Sequence, residues 1–193
     1  MGDGMSRSAA RAYLEAARSA FQGMETADLE RAVDVCWKSL SGGGRLLVCG
    51  NGGSAADSMH VAAELVGRFR LERPGMAAIA LSADAAVITA VANDFGYHRV
   101  FARQVEALGR PGDVLLAIST SGRSRNVLNA ADSAARTGMS VVGLTGADPG
   151  PLGGLCDVVV RAPSGITSHA QECMLVMEHA LCHCLESRLE AHG

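Results

Sequence analysis

Five short apolar runs recur along the chain without the polar alternation of a half-exposed strand. They are residues 45–49 (RLLVC), 77–81 (AAIAL), 114–119 (VLLAIS), 140–145 (SVVGLT) and 158–161 (VVVR). Runs of this kind suit strands covered on both faces. The segments between them are about 15–30 residues long, enough for crossover helices, so the pattern predicts an α/β protein with a parallel sheet.

Two helical segments precede the first strand. Residues 8–21 place Ala12, Ala16 and Ala20 on one stripe. Residues 26–40 place Leu29, Val33 and Trp37 on one face, with Thr26 available as a cap and Gly42, Gly43 and Gly44 as a stop. A simple α/β sheet does not need these helices for cover, so residues 1 to about 42 are expected to pack on a neighbouring subunit. A last helix, 168–189, is apolar almost all round, which suits deep burial or an interface. No internal repeat or linker interrupts the pattern, and residues 1–193 read as a single domain.

Composition narrows the field. Hydrophobic residues make up 48% and charged residues 19% of the chain, which is globular. A net charge of −3 gives no basic footprint, so nucleic acid is not an expected partner. No signal peptide and no bilayer-length apolar run is evident, which points away from a membrane and to the cytoplasm. Cys36, Cys49, Cys156, Cys173, Cys182 and Cys184 form no CxxC units, and most lie in apolar runs, so they read as reduced, small hydrophobes.

Two glycine- and hydroxyl-rich turns follow strands. The first, 49–57 (CGNGGSAAD), lets backbone approach a ligand and puts Ser54 where a helix N-cap would stand. It has neither a Walker Gly-Lys-Ser/Thr nor GxGxxG spacing. The second, 118–127 (ISTSGRSRNV), gathers Ser119, Thr120, Ser121 and Ser124 around Gly122. Four hydroxyls beside helix-start N–H groups favour a phosphate cradle over a simple cap. Both turns sit at carboxyl ends of parallel strands, where open α/β sheets bind ligands.

The helix opened by the first turn carries His60 and Glu64 one turn apart. The pair suits metal binding, acid–base work or a surface hydrogen bond. Gln171 and His179 on the last helix carry no such signal, because a histidine on an apolar helix face is ordinarily a satisfied core residue.

Together these residues resemble the sugar isomerase (SIS) family, and within it the sedoheptulose 7-phosphate isomerases. The similar stretches are 50–69 (GNGGSAADSMHVAAELVGRF), 92–127 (ANDFGYHRVFARQVEALGRPGDVLLAISTSGRSRNV) and the spaced Thr167, Gln171, Glu172 and His179. The resemblance implies a three-layer sandwich with a five-stranded parallel sheet, and a homotetramer with sites at subunit interfaces. It implies substrate contacts by Asn51, Gly52, Gly53, Ser54, Glu64, Asn93, Asp94, Ser119, Thr120, Ser121, Ser124 and Gln171. It further implies catalysis by Glu64 and His179, and zinc at His60, Glu64, Gln171 and His179. Met174 stands where relatives often have a second histidine. Gln171 and His179 lie about 12 Å apart along a straight helix, so one metal between them requires long reaches, a bend or different subunits.

The implied reaction converts D-sedoheptulose 7-phosphate to D-glycero-D-manno-heptose 7-phosphate by proton transfer between C1 and C2, the first step of ADP- or GDP-heptose biosynthesis. The alternative is a non-catalytic protein on the same scaffold that binds a partner such as a replication initiator. Retention of Glu64 and His179 favours the enzyme.

Overall fold

The computed structural model describes residues 2–192, with side chains described for residues 8–191. Strands β1 (Leu46–Cys49), β2 (Ala78–Ala80), β3 (Val114–Ser119), β4 (Ser140–Thr145) and β5 (Val158–Arg161) form one sheet in the order β2-β1-β3-β4-β5. Every pairing is parallel. Helices α1 (Gly2–Gln22) and α2 (Ala27–Ser41) come first. They are followed by α3 (Gly53–Val66), α4 (Ala85–Phe95), α5 (Ala102–Leu108), α6 (Arg125–Thr137) and α7 (Thr167–His192), the last of which is the longest.

The five apolar runs are these strands, and their lack of alternation follows from cover on both faces. Leu46, Val48, Leu116 and Val142 pack with α2, α3 and α7, while Leu47, Cys49, Leu115 and Val141 pack with α4, α5 and α6. The result is the expected three-layer sandwich. Chain order runs outward from the centre in both directions, to β2 on one side and to β4 and β5 on the other. The switch point therefore lies between β1 and β3, the two strands that end in the ligand-type turns.

Within the chain, the N-terminal helices make contacts that the sequence reading did not anticipate. Ala32, Val33 and Cys36 of α2 sit in the core beside β5 and α7, so α2 covers its own sheet. On α1 the buried positions are Ala17 and Ala20, whereas Ala12 and Ala16 are exposed. Helix α1 packs on α7, and that contact selects a different stripe from the alanine repeat. Thr26 holds the N-cap position of α2 but its side chain makes no capping bond, and Gly42 ends the helix as expected.

A buried ion pair fastens α3 to α7. Arg73 Nε donates to Glu186 Oε1 at 3.0 Å, with side chains only 6% and 1% exposed. The same guanidinium donates to the carbonyls of Leu65 and Glu64, both at 2.9 Å, satisfying the end of α3. Glu186 also accepts from the backbone N–H groups of Phe69 and Arg70. Burial alone would raise the Glu186 carboxyl, but the N–H groups of Leu71, Arg70 and Phe69 and the Arg73 guanidinium outweigh it and hold it below its ordinary value. Removing one partner strands the other in a dry site. Arg73→Ala should therefore cost about 3–5 kcal/mol in guanidinium unfolding. A loss below about 1 kcal/mol, the scale of a surface pair, would show that the clamp is not buried in solution.

Candidate active site

The chain leaves β1 at Cys49 and enters α3 at Gly53, with Gly52 at the cap position in a positive-φ conformation (56°) that favours glycine. The expected N-cap role of Ser54 is corrected here. Ser54 is already the second residue of α3 and is buried, because the glycine, not the serine, makes the turn. A Cβ at Gly53 would meet Gln171 Nε2, the movable end of a side chain on α7, so the two helices touch here. Asn51 binds the two turns together. Its Nδ2 donates to Asn126 Oδ1 and its Oδ1 accepts from Asn126 Nδ2, both at 2.8 Å. Tyr97 adds a third bond, donating to Asn51 Oδ1 at 3.0 Å.

The second turn runs from Ser119, at the end of β3, to Ser124, the N-cap residue of α6. Gly122 has φ 60°, and a Cβ there would lie 1.8 Å from the Pro149 carbonyl oxygen, so no larger residue fits. Ser119 Oγ lies 3.4 Å from Ser124 Oγ, and the Arg123 N–H donates to Ser121 Oγ at 3.2 Å. Ser124 does not cap α6 with its side chain, which leaves the N–H groups of Arg125 and Asn126 for an anion. A cleft of about 240 Å³ opens here, lined by Thr120, Ser121, Arg123, Asp148 and Thr167 among others. Asp148 at its mouth is held below the usual carboxylate range by the Gly150 N–H and by Arg123, which donates to it at 2.8 Å.

Helices α3 and α7 run side by side in the same direction, as the successive contacts Gly53 to Gln171, His60 to His179 and Phe69 to Glu186 show. His60 Nε2 and His179 Nε2 are 2.8 Å apart, one donating and the other accepting. Glu64 Oε1 lies 3.7 Å from His60 Nε2. Two imidazole nitrogens and a carboxylate are donor types that zinc takes. Among the described residues, however, no three His, Cys, Asp or Glu side chains are closed into a metal-holding group within the single chain. Gln171 is not with this trio, since its amide faces Gly53 about two helical turns from His179. Asn93 and Asp94 lie exposed at the end of α4, where Asn93 Nδ2 donates to Asp94 Oδ1 at 2.9 Å.

Sequence reasoning missed several residues here. Asn126 and Tyr97 lie inside the quoted motifs but carry no signal until the fold brings them to Asn51. At the start of α7, Glu172 accepts from Tyr13 Oη at 2.6 Å and pairs with His169 Nδ1 at 3.0 Å, so α1 helps to fix the turn that bears Gln171. Glu178, next to His179, is 1% exposed, and both its oxygens lack a hydrogen-bond partner, as does Asp57 Oδ2 on the facing helix. Burial first, and then the Asp57 charge, push the Glu178 carboxyl from 4.5 up to about 8. Burial raises Asp57 as well, against an opposing pull from His60.

Between about pH 4.5 and about pH 8 the folded chain thus holds a proton on Glu178 that the unfolded chain releases. Stability contributed by this neutral carboxyl is full below that window and is lost as pH rises through it. Glu178→Gln, which keeps the shape without the charge, should raise the melting temperature at pH 8 and change it little at pH 5. An equal effect at the two pH values would count against a protonated Glu178.

Comparison with known proteins follows the same lines. The SIS domain profile matches residues 11–146. The phosphoheptose isomerase of Helicobacter hepaticus is 46% identical over 182 residues, spanning 94% of this chain and 92% of that protein. The solved phosphoheptose isomerase of Francisella tularensis superposes with a TM-score of 0.91 at 36% identity, covering 94% of this chain and 98% of its own. GmhA of Neisseria gonorrhoeae, also a phosphoheptose isomerase, gives 0.87 at 38%, covering 95% and 99%. The glycine turn, the hydroxyl turn and the His60–His179 contact thus stand on a scaffold shared with these enzymes over nearly its whole length, and the chain belongs to the SIS domain family, among the phosphoheptose isomerases.

Proposed function

We propose that this chain isomerises D-sedoheptulose 7-phosphate to D-glycero-D-manno-heptose 7-phosphate, the first step toward ADP- or GDP-heptose. The observation that carries the reading is the meeting of a carboxylate and two imidazoles on α3 and α7, helices that also frame the two turns at the switch point. The relatives named as phosphoheptose isomerases support the substrate.

The 119–124 turn and the open N–H groups of α6 bind the phosphate and hold the carbonyl end of the sugar in register. Glu64 takes a proton from C1 of the ketose as O2 gains one, giving an enediol. The carbon-bound proton returns at C2 while the O1 proton leaves, and the aldehyde remains at C1. His179, paired with His60, serves the oxygens, because an imidazole both donates and accepts near neutral pH. Asn51 holds the two turns at a fixed separation, and Gln171 offers a neutral amide beside Gly53 for a sugar hydroxyl. Asn93 and Asp94, at the end of α4 and shortly before Tyr97, supply further polar groups to the substrate.

Zinc belongs to the same proposal. His60, His179 and Glu64 would hold it, whereas Gln171 of the same chain stands about two turns away beside Gly53. Bound zinc would polarise the substrate carbonyl as a Lewis acid. The enzyme is further proposed to be a cytoplasmic homotetramer with its sites at subunit interfaces. All six cysteines are free thiols, which suits a reducing compartment. Among the described residues no helix is long and apolar enough to cross a membrane. Tyr13 and Leu14 of α1, Met59 and Val66 of α3, and Leu175 and Val176 of α7 are large apolar side chains left exposed by the single chain, as an interface requires.

Three measurements test the proposal. Glu64→Gln should lower turnover at least about a hundredfold and suppress solvent-deuterium exchange at C1 and C2, the usual scale for losing a general base. Exchange at the wild-type rate would exclude Glu64 as the base, and exchange lost only together with metal would make it a ligand instead. Ser121→Ala with Ser124→Ala should weaken calorimetric binding of phosphorylated sugars selectively, and unchanged affinity would remove the phosphate role. Light scattering at micromolar concentration should report a tetramer, whereas a stable mass near 19.9 kDa would rule the assembly out.

A further inference from the structure

The rim of the sheet opposite the two ligand turns carries a second cleft. It lies where β1, β3 and β4 begin, between the glycine run that ends α2 and the Arg110–Asp113 turn that leads into β3. Its volume is about 490 Å³, within the range of small-molecule sites. Lys38, Arg45 and Arg110 line it, each from a different segment, with Asp113 as the one facing carboxylate. That carboxylate is committed. It is buried, it accepts the backbone N–H groups of Arg45 and Arg110 at 3.0 Å each, and it lies 3.4 Å from Arg45 Nε. The Lys38 ammonium and the Arg110 guanidinium have no acidic partner among the described residues. The cleft is therefore locally positive on a chain whose net charge is −3.

Two further features of the cleft bear on an anion. Ser39, 7% exposed, borders the cleft with its Oγ buried and without a hydrogen-bond partner. The last carbonyls of α2 are hydrogen-bonded rather than open to the cleft. Gly42 N–H donates to Lys38 O and Ser39 O, Gly43 N–H to Leu40 O, and Gly44 N–H to Ser39 O. Gly112 on the facing wall has φ 90°, and a Cβ built there meets nothing within 4 Å, so the wall leaves room for a group to approach.

We infer that this cleft is a second anion site, distinct from the isomerase centre, which takes a small metabolite carrying more than one phosphate. Arg45 is taken by Asp113, which leaves Lys38 and Arg110 on separate segments, one cation for each group of a diphosphate. The lining offers only short aliphatic groups beside its charges and no aromatic ring on which to stack a base. Recognition here is by the phosphates.

Calorimetry on the full chain, with inorganic pyrophosphate as probe and inorganic phosphate as reference, tests the site. Pyrophosphate should bind with Kd below about 1 mM and at least about tenfold tighter than phosphate. Lys38→Ala with Arg110→Ala should weaken it at least about tenfold while turnover and melting temperature stay at wild-type values, since both side chains are exposed. Lys38→Arg with Arg110→Lys should retain binding. With Ser121→Ala and Ser124→Ala in the hydroxyl turn, the pyrophosphate binding that depends on Lys38 and Arg110 should remain. The inference falls if pyrophosphate gives no saturable heat or binds no better than phosphate. It falls equally if binding is indifferent to Lys38 and Arg110 or is abolished by the Ser121 and Ser124 changes.

Discussion

The register of α3 against α7 governs this structure, and the Arg73–Glu186 pair holds that register. A lone charge in so dry a position would be expelled or neutralised. Here Arg73 is satisfied at once by a carboxylate on α7 and by two carbonyls at the end of α3. The donors of Arg73 thus meet acceptors that a free helix end would leave to water. With that end fixed, Glu64 and the histidines fall opposite each other one to two turns back, and Gly53 meets Gln171 at the far end. A slip of one residue would put apolar side chains where the polar groups now meet.

The second constraint is close approach. Two strands end side by side at the switch point, and the second needs a glycine where its turn touches another segment. Gly122 admits the Pro149 carbonyl, while Gly53 packs against the movable end of Gln171. Between them the Asn51–Asn126 amide pair uses a donor and an acceptor from each side chain, so the two turns move as one body. Rigid spacing of this kind suits a reaction in which the anchored phosphate and the reacting carbons lie several bonds apart.

The layers and three of the five strand boundaries were legible in the sequence, because strands covered on both faces leave unbroken apolar runs. The two turns were legible because glycines and hydroxyls crowd at strand ends. The helices were less so. Ala12, Ala16 and Ala20 mark a stripe by composition, yet α7 buries Ala17 and Ala20, a choice made by tertiary contact. Ser54 looks like a cap because serine often is one, but Gly52 takes that place through its backbone. Asn126 and Tyr13 could not be found from spacing, since their partners lie far away in the chain, and Glu178 could not because only the fold buries it. His179 and Gln171 were found through family resemblance alone, and the structure sets them at different points along α7.

Helix α7 also decides which kinds of change the protein can absorb over evolutionary time. One unbroken element of 26 residues carries Thr167 at the cleft of the hydroxyl turn, Gln171 at the glycine turn, His179 in the imidazole pair and Glu186 in the clamp. A helix counts residues as a screw counts threads. One inserted or deleted residue turns everything beyond it by about 100° and shifts it about 1.5 Å. A single change of length near Met174 would swing His179 and Glu186 off α3 together. The site is therefore open to drift in residue identity but closed to drift in length. Insertions in descendants of this chain should collect in its loops, and α7 should keep its count.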